Sequence, residues 1–395
     1  MPASLLDVLS SFENIFSPLR ETTTPPFTWT PGKPSIDIVI PACGDDLEYL
    51  PEVSPQKIAW GLYITIASCE KLLRDSGLDY RYFIVDNGNP VAGEFREAFD
   101  RTLEYVKSTG RAEIIYSAEA LSPPSARNRG AAAGKGDLIF FFDNHCKVDS
   151  GYFAYSILTH ERLNADAVHG RFRFPRWDTC AYHRVQTLKD NFWGMFAEFP
   201  LPDSLAQFHV SAASDLTWPV GQPLPYRAVL TGHGGFSVRR DTWEEVGGYW
   251  DEFLGFGGEE SYFDLKLALL GKTNWINPNV SHWHKLDTKR PYKWTVESFP
   301  LYVENMLCAA NIIGGHEWAR TVANSQRDLK NHWLMQSKES KARLKEREAA
   351  LGTDMDHEKR FDRALQRSDE RARWLAGRRL RTLDEVLVNS GGLAI

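Results

Sequence analysis

Along the first 150 positions the apolar residues come in short, nearly unbroken runs: "SIDIVIP" at 35–41, "YRYFIVD" at 80–86, "AEIIYS" at 112–117 and "DLIFFFD" at 137–143. Runs of this length, rich in β-branched and aromatic residues, predict strands buried on both faces. Between them the period lengthens. Val53 to Leu73 and residues 92–109 read as helices, the first opening at Ser54-Pro55, where Ser can N-cap and Pro can take the first turn. "SPPSARNRGAAAGKG" adds a Pro-rich entry to a third helix that stops at Gly134 or Gly136. Strands alternating with helices predict an α/β fold: a mostly parallel, Rossmann-like sheet flanked by helices.

Beyond 151 the pattern becomes mixed and aromatic. "RFRFPRW" and "VLTGHGGFSVRR" predict strands, and "DTWEEVGGY" a short helix capped by Asp241. "GGEESYFDLKLALLG" predicts a helix that starts at Glu259 and Glu260 and stops at Gly271. From 316 onward the chain reads as a charged helical extension, with helices at Asn331–Leu351 and 355–376. At the other end, residues 1–20 predict a helix, and 21–34, with four prolines, an extended linker.

Composition changes this picture little. The chain has 395 residues, 25% of them charged, and a formal net charge of −6, which argues against a general polyanion binder. The charge is uneven: Lys359–Arg381 holds nine Lys/Arg against three Asp/Glu. In that segment Phe361, Leu365, Ala372 and Leu375 form one apolar stripe, so a packing helix is the first reading and a grip on a polyanion the second. The five cysteines are scattered, with no CxxC pair, which fits a reducing compartment rather than a disulfide framework or zinc knuckle. No apolar run approaches the roughly 20 residues of a membrane span. The expectation is a soluble, cytoplasmic protein.

The chemistry gathers at the ends of the strands. In open α/β sheets, ligands sit beyond the carboxyl ends. Those ends carry Pro41-Ala42, Asp86-Asn87 and Asp143-Asn144-His145. Residues two apart at a strand end point the same way, so Asp143 and His145 should face one crevice while Asn144 points away. A carboxylate and an imidazole suit a divalent cation, Mn2+ better than Mg2+. The third ligand has two candidates, His282 and His284 in "NVSHWHKLD". Glu259 and Glu260 follow three glycines (255, 257 and 258), which allow close approach of backbone to a ligand.

The ordered set "SIDIVIPACGDD", "YFIVDNGNP", "PPSARNRGAAAGKGDLIFFFDNH", "GGFSVRRDTWEEVGGY", "GFGGEESYFDLKLALLG" and "SHWHK" resembles the GT-A glycosyltransferases, across about residues 35–292. It is most similar to family-2-like enzymes and the polypeptide N-acetylgalactosaminyltransferases, whose metal motif reads Asp-x-His. The resemblance implies transfer of a sugar from a nucleotide donor, UDP-linked above all, to an acceptor hydroxyl. By it, Asp86 contacts the uridine and Arg127 lies near the nucleotide, with Pro41, Ala42 and Asn144 also at the donor. Asp143 and His145 hold Mn2+ (or Mg2+) with His284 or His282. Gly234 and Gly235 line the sugar pocket. Lys289, Arg290 and Tyr292, in "KRPY", belong to a loop closing over the donor, and Lys285 adds charge there. Glu259 and Glu260 face sugar and acceptor. The implied divisions are 1–34, a donor half at 35–150, an acceptor half at 151–315 and the extension at 316–395.

Family-2 enzymes usually read Glu-Asp where this chain has Glu259-Glu260, and the polypeptide enzymes Glu-Asn; an acid in the second position leans toward inversion with Glu260 as base. The expected membrane anchor and lectin module of the animal enzymes are missing from the pattern, so the acceptor is open: a cell-envelope glycan, hydroxymethylated DNA or a polypeptide. A sugar-nucleotide pyrophosphorylase ranks lower, because "PACGDDLEYLPEV" is acidic with a single glycine where those enzymes carry a basic, glycine-rich loop. A non-catalytic binding protein with a degenerate fold is the remaining alternative.

Overall fold

The structure is a computed structural model that describes residues 34–42, 60–87, 94–119, 121–174, 177–184, 195–198, 225–255, 257–284, 299–325 and 357–389. The helices expected at 1–20 and 331–351, the 21–34 linker but for Pro34, and the first turns of the helix expected from Val53 lie outside these residues.

One sheet runs through the fold. Its first half is parallel, in the order β3(Ala112–Tyr116), β2(Tyr80–Asp86), β1(Ile36–Ala42), β4(Leu138–Phe142). It continues with β10(Gly235–Arg239), β6(Ala167–Phe174), β11(Asn274–His284) and β5(Cys146–Val148). Here β10 is antiparallel to both neighbours, β6 and β11 are parallel, and β5 is antiparallel to β11. Strands β7(Trp177–Arg184), β8(Met195–Glu198) and β9(Tyr226–Arg227) branch from this path. The 35–150 and 151–315 segments therefore share a single sheet.

Alternation sorts the strand residues into two cores. Ile36, Ile38, Ile40, Leu138, Phe140 and Phe142 pack on one face with residues of α1(Trp60–Leu73), α2(Glu94–Ser108) and α4(Tyr152–Leu163). Val39, Ile139 and Phe141 face the other way, into α5(Arg240–Val246), α6(Glu259–Leu269), α7(Phe299–Ser325) and α8(His357–Ala376). A sheet buried on both faces needs apolar residues at every strand position, which is why "LIFFF" is unbroken.

Three expectations are corrected. Only Gly235–Arg239 of "VLTGHGGFSVRR" is strand; Val229–Gly234 is loop, because β4 and β6 flank the chain only from Gly235 onward. Asp241 does not cap α5. It lies in the first turn, where its Oδ1 accepts from Thr242 N and its carboxylate also pairs with Arg239. Asn144 does not point away from the crevice, as shown below.

The charged extension is a packing element. In α8, Phe361, Ala364 and Leu375 are buried against the core with α7, and Leu365 packs beside them. Its arginines are engaged internally: Arg363 and Arg367 bind the buried Glu304 at 2.7 and 2.6 Å, and Arg371 Nε donates to Tyr262 Oη. A last helix, α9(Leu383–Asn389), follows. Among the described residues no helix is long and apolar enough to cross a membrane.

Candidate active site

β4 ends at Phe142, and the chain turns through Asp143-Asn144-His145 into β5. In the antiparallel pairing of β5 with β11, Cys146 stands opposite His284 and Val148 opposite His282. That register delivers His284 beside His145. His284 Nε2 lies 3.0 Å from Asp143 Oδ2 and 3.1 Å from His145 Nε2, and His145 Nε2 is 4.0 Å from Asp143 Oδ2. Adjacent ligands of an octahedral ion, each about 2.1 Å from it, stand about 3 Å apart. One carboxylate with two imidazole nitrogens, all within 4.8 Å of one another, is therefore a donor set that fits Mn2+ in charge, chemistry and span.

The surroundings of this group act in the same sense. Asn144 is buried and its Oδ1 is 3.0 Å from His145 Nδ1. With Nδ1–H donating there, the Nε2 lone pair of His145 is turned toward Asp143 and His284, the outer contact that metal-binding histidines use. Burial alone would raise the Asp143 carboxyl, but the His284 hydrogen bond and the Arg127 charge hold it well below the usual range, so it stays an anion.

His282 goes elsewhere. Its ring is fully buried, edge-on to Tyr152 and set beneath Gly235, where a Cβ would stand 2.7 Å from His282 Cε1. Burial, with His284 nearby, pushes its imidazole down to about 3. The geometry thus brings His284, and not His282, to Asp143 and His145. It also gives Gly235 a specific task, since any side chain there would occupy the space of the His282 ring.

Arg127 comes from α3(Pro123–Ala133), whose start is fixed by Ser122 Oγ accepting from Ser125 N with Pro123 and Pro124 behind it. Almost wholly buried, it donates through Nη2 to Asp143 Oδ1 at 2.7 Å and to the His233 carbonyl at 2.9 Å. Burial opposes its charge, but the neighbouring acidic groups, Asp143 among them, outweigh that and raise it.

The acid pair opens α6. Gly255, Gly257 and Gly258, with φ of 74°, 115° and 79°, form its lead-in, a path that favours glycine. Asn305 of α7 clamps the loop by accepting from Leu254 N and donating to Leu254 O. Glu259 Oε2 accepts from Gly257 N at 2.6 Å, and Glu260 Oε1 from His233 N at 3.1 Å. Burial raises both carboxyls; for Glu260 the neighbouring Glu259 adds to this, while Arg127 and the His233 N–H pull the other way.

Pro41, Ala42 and Asp86 lie together at the ends of β1 and β2, Ala42 directly opposite Asp86. The Asp86 carboxylate is buried and paired with Arg96 at 3.1 Å, a partner not singled out from the sequence. Gly234 closes on the Asp143 turn, its carbonyl accepting from Asp143 N at 2.9 Å. Lys285, Lys289, Arg290 and Tyr292 lie outside the described residues. His233, Tyr249 and Asp264 were also missed. His233 lies within a quoted motif, but its contacts are 16 and 31 residues away in the chain and leave no local signal.

Residues 62–215 match the model of the family described as "Glycosyl transferase family 2". A relative from Caenorhabditis elegans, "Probable N-acetylgalactosaminyltransferase 6", is 30% identical over 194 residues, covering 47% of this chain and 29% of the relative. "Polypeptide N-acetylgalactosaminyltransferase 5" of the same organism is 24% identical over 185 residues, with coverages of 47% and 29%. The chain thus spans under a third of the length of the curated relatives it matches. Among solved structures, that of GalNAc-T7 with UDP, GalNAc and Mn2+ superposes with a TM-score of 0.55 at 15% identity, covering 80% of this chain and 54% of the other. Over residues 62–215 the chain therefore matches glycosyl transferase family 2, and it is similar to the polypeptide N-acetylgalactosaminyltransferases in sequence and in its GT-A fold.

Proposed function

We propose that this protein is a metal-dependent glycosyltransferase that moves a sugar from a nucleotide donor, UDP-linked in the first instance, to an acceptor hydroxyl. The observation that carries the reading is the convergence of Asp143, His145 and His284 at the strand ends, with Arg127 joining them to the turn that binds Glu260. The names of the relatives, and the UDP and Mn2+ in the GalNAc-T7 structure, support the donor class and a divalent ion.

Asp143, His145 and His284 would hold the ion, Mn2+ ahead of Mg2+. Bound there, it would supply positive charge to a departing diphosphate. The protein's own groups do the rest. Arg127 fixes the Asp143 carboxylate, and Asn144 sets the His145 tautomer. Pro41, Ala42 and Asp86 form the nucleoside end of the crevice, and Gly234 and Gly235 its sugar side. Lys289, Arg290 and Tyr292 would add their charge and ring to donor binding. Glu260, in its ionised form, takes the proton of the attacking hydroxyl, which leans toward inversion and makes activity rise with pH toward about 8, and Glu259 orients the sugar and holds the Gly257 turn. Residues 35–150 then serve the donor and 151–315 the acceptor, with α8 bracing the second half. The acceptor is a glycan or polypeptide hydroxyl; of the arginines in the basic segment, Arg363, Arg367 and Arg371 are engaged with Glu304 and Tyr262 rather than presented to a polyanion.

The test is nucleotide release from UDP-, GDP-, CMP- and TDP-sugars, each with Mn2+ and with EDTA. Mn2+-dependent release of UDP is expected. Equal traces with and without Mn2+ for every donor would refute the reading.

A further inference from the structure

The loop Thr231–Gly234 joins both sides of the site through one residue's main chain. His233 N donates to Glu260 Oε1 at 3.1 Å. His233 O accepts from Arg127 Nη2 at 2.9 Å, and the same Nη2 reaches Asp143 Oδ1 at 2.7 Å. The next carbonyl, of Gly234, accepts from Asp143 N. A displacement of this peptide changes the acid pair and the Asp143 carboxylate together.

The side chain of His233 is what fixes that peptide. It is fully buried, with Nδ1 2.5 Å from Tyr249 Oη and Nε2 3.0 Å from Asp264 Oδ1. Asp264 Oδ2 accepts from Thr231 N and Oγ1, and its Oδ1 also from Asn274 Nδ2. With Asp264 as a carboxylate, which only accepts, His233 Nε2–H donates to it and Tyr249 O–H donates to His233 Nδ1. Burial keeps the Tyr249 phenol protonated and the imidazole neutral, in agreement with this tautomer. The ring also packs against His169, stacked at 5.2 Å, and Phe236 at 4.5 Å, which stack on each other at 5.0 Å. His169, His233 and Asp264 would also span a cation, but each Asp264 oxygen already accepts two hydrogen bonds, so the group is satisfied without one.

We propose that His233 is a positioning residue. Its ring, clamped between Tyr249 and Asp264, sets the peptide that ties Glu260 to the Arg127–Asp143 pair, and so fixes the acid pair relative to the metal-holding group. The chemical consequence rests on the transferase reading; the geometric coupling does not.

The experiment compares wild type with Tyr249→Phe, which deletes one hydroxyl, and His233→Phe, which keeps a ring of similar shape. Three quantities are read: Mn2+ affinity by calorimetry, the Glu260 carboxyl titration by carbon NMR of labelled protein, and UDP release from UDP-GalNAc. Loosening the His233 peptide weakens its N–H bond to the Glu260 carboxylate, so that titration should move up by about half a unit to one unit. Mn2+ affinity should fall about 3- to 10-fold, and UDP release more steeply than Mn2+ binding explains. His233→Gln, which can still donate to Asp264, should recover part of each change. If Tyr249→Phe and His233→Phe lower Tm but leave Mn2+ affinity and the Glu260 titration at wild-type values, the network is packing alone and the proposal falls. Should His233→Phe not fold, Tyr249→Phe decides by the same two readouts. A metal ion still bound when Asp143, His145 and His284 are all replaced by Ala would also overturn it, since the His169–His233–Asp264 group would then be holding one. Absence of UDP release from wild type, with both coupled shifts present, would refute the transferase reading while the coupling stands.

Discussion

Glu260→Gln replaces a buried carboxyl by an amide of the same shape that can still accept from His233 N. Burial and the adjacent Glu259 raise the Glu260 carboxyl to about 8, against the opposing pull of Arg127 and the His233 N–H. In the unfolded chain the group titrates near 4.3, as an ordinary Glu does. Between those values the native state holds a proton that the unfolded state has released. Stability is then largest at the acid end of the window and falls as pH rises through it. Each pH unit of a full one-proton difference is worth about 1.4 kcal/mol, so from about pH 5.5 to 7.5 this group removes about 3 kcal/mol. The charge of Glu259 acts on Glu260, so the proton is read as belonging to the pair. Asp264, raised by burial to about 7, adds its own slope to both proteins and cancels in the comparison. The assay is urea unfolding of both proteins at the two pH values. The expected outcome is that wild type loses about 3 kcal/mol more than Glu260→Gln over the interval. Parallel losses would show that Glu260 is already ionised in the native protein, and the coupled, desolvated acid pair would be wrong.

Other substitutions read other parts of the site. His284→Ala should weaken Mn2+ binding by at least about 10-fold, whereas His282→Ala should leave it within about 3-fold while lowering Tm, because His282 fills space under Gly235; calorimetry and melting curves separate the two. Gly235→Ala puts a Cβ against the His282 ring and should cost about 1–3 kcal/mol of stability in urea. Glu304→Gln removes the shared anion of Arg363 and Arg367, and should cost about 2 kcal/mol while loosening α8, read as faster amide exchange confined to that helix.

The parts of this account that were legible in the sequence are those written into local pattern. "LIFFF" announces a strand buried on both faces because both neighbouring layers demand apolar side chains, and the Asp-x-His that follows stands at its end. The stripe of Phe361, Leu365 and Leu375 likewise announced a packing helix, although its ionic partner Glu304 lies 59 residues from Arg363 and was invisible. The choice between His282 and His284 could not be made from spacing. Both face the same side of β11, and only the register against β5 and the missing Cβ of Gly235 send one to the crevice and the other beneath the sheet. His233 was missed for a similar reason: its role lies in main-chain bonds to Glu260 and Arg127, 27 and 106 residues away. The 229–234 loop was read as strand because its apolar start continues the β10 pattern, and nothing local shows where the flanking strands end.

The central claim is that Asp143, His145 and His284 make this crevice a metal-assisted nucleotide site. Calorimetric titration of UDP into wild type and into Asp143→Ala, each with Mn2+ and with EDTA, tests it most directly. UDP binding to wild type that requires Mn2+ and disappears in Asp143→Ala is the predicted result. Equal UDP binding by both proteins in EDTA, or none by wild type in Mn2+, would contradict it.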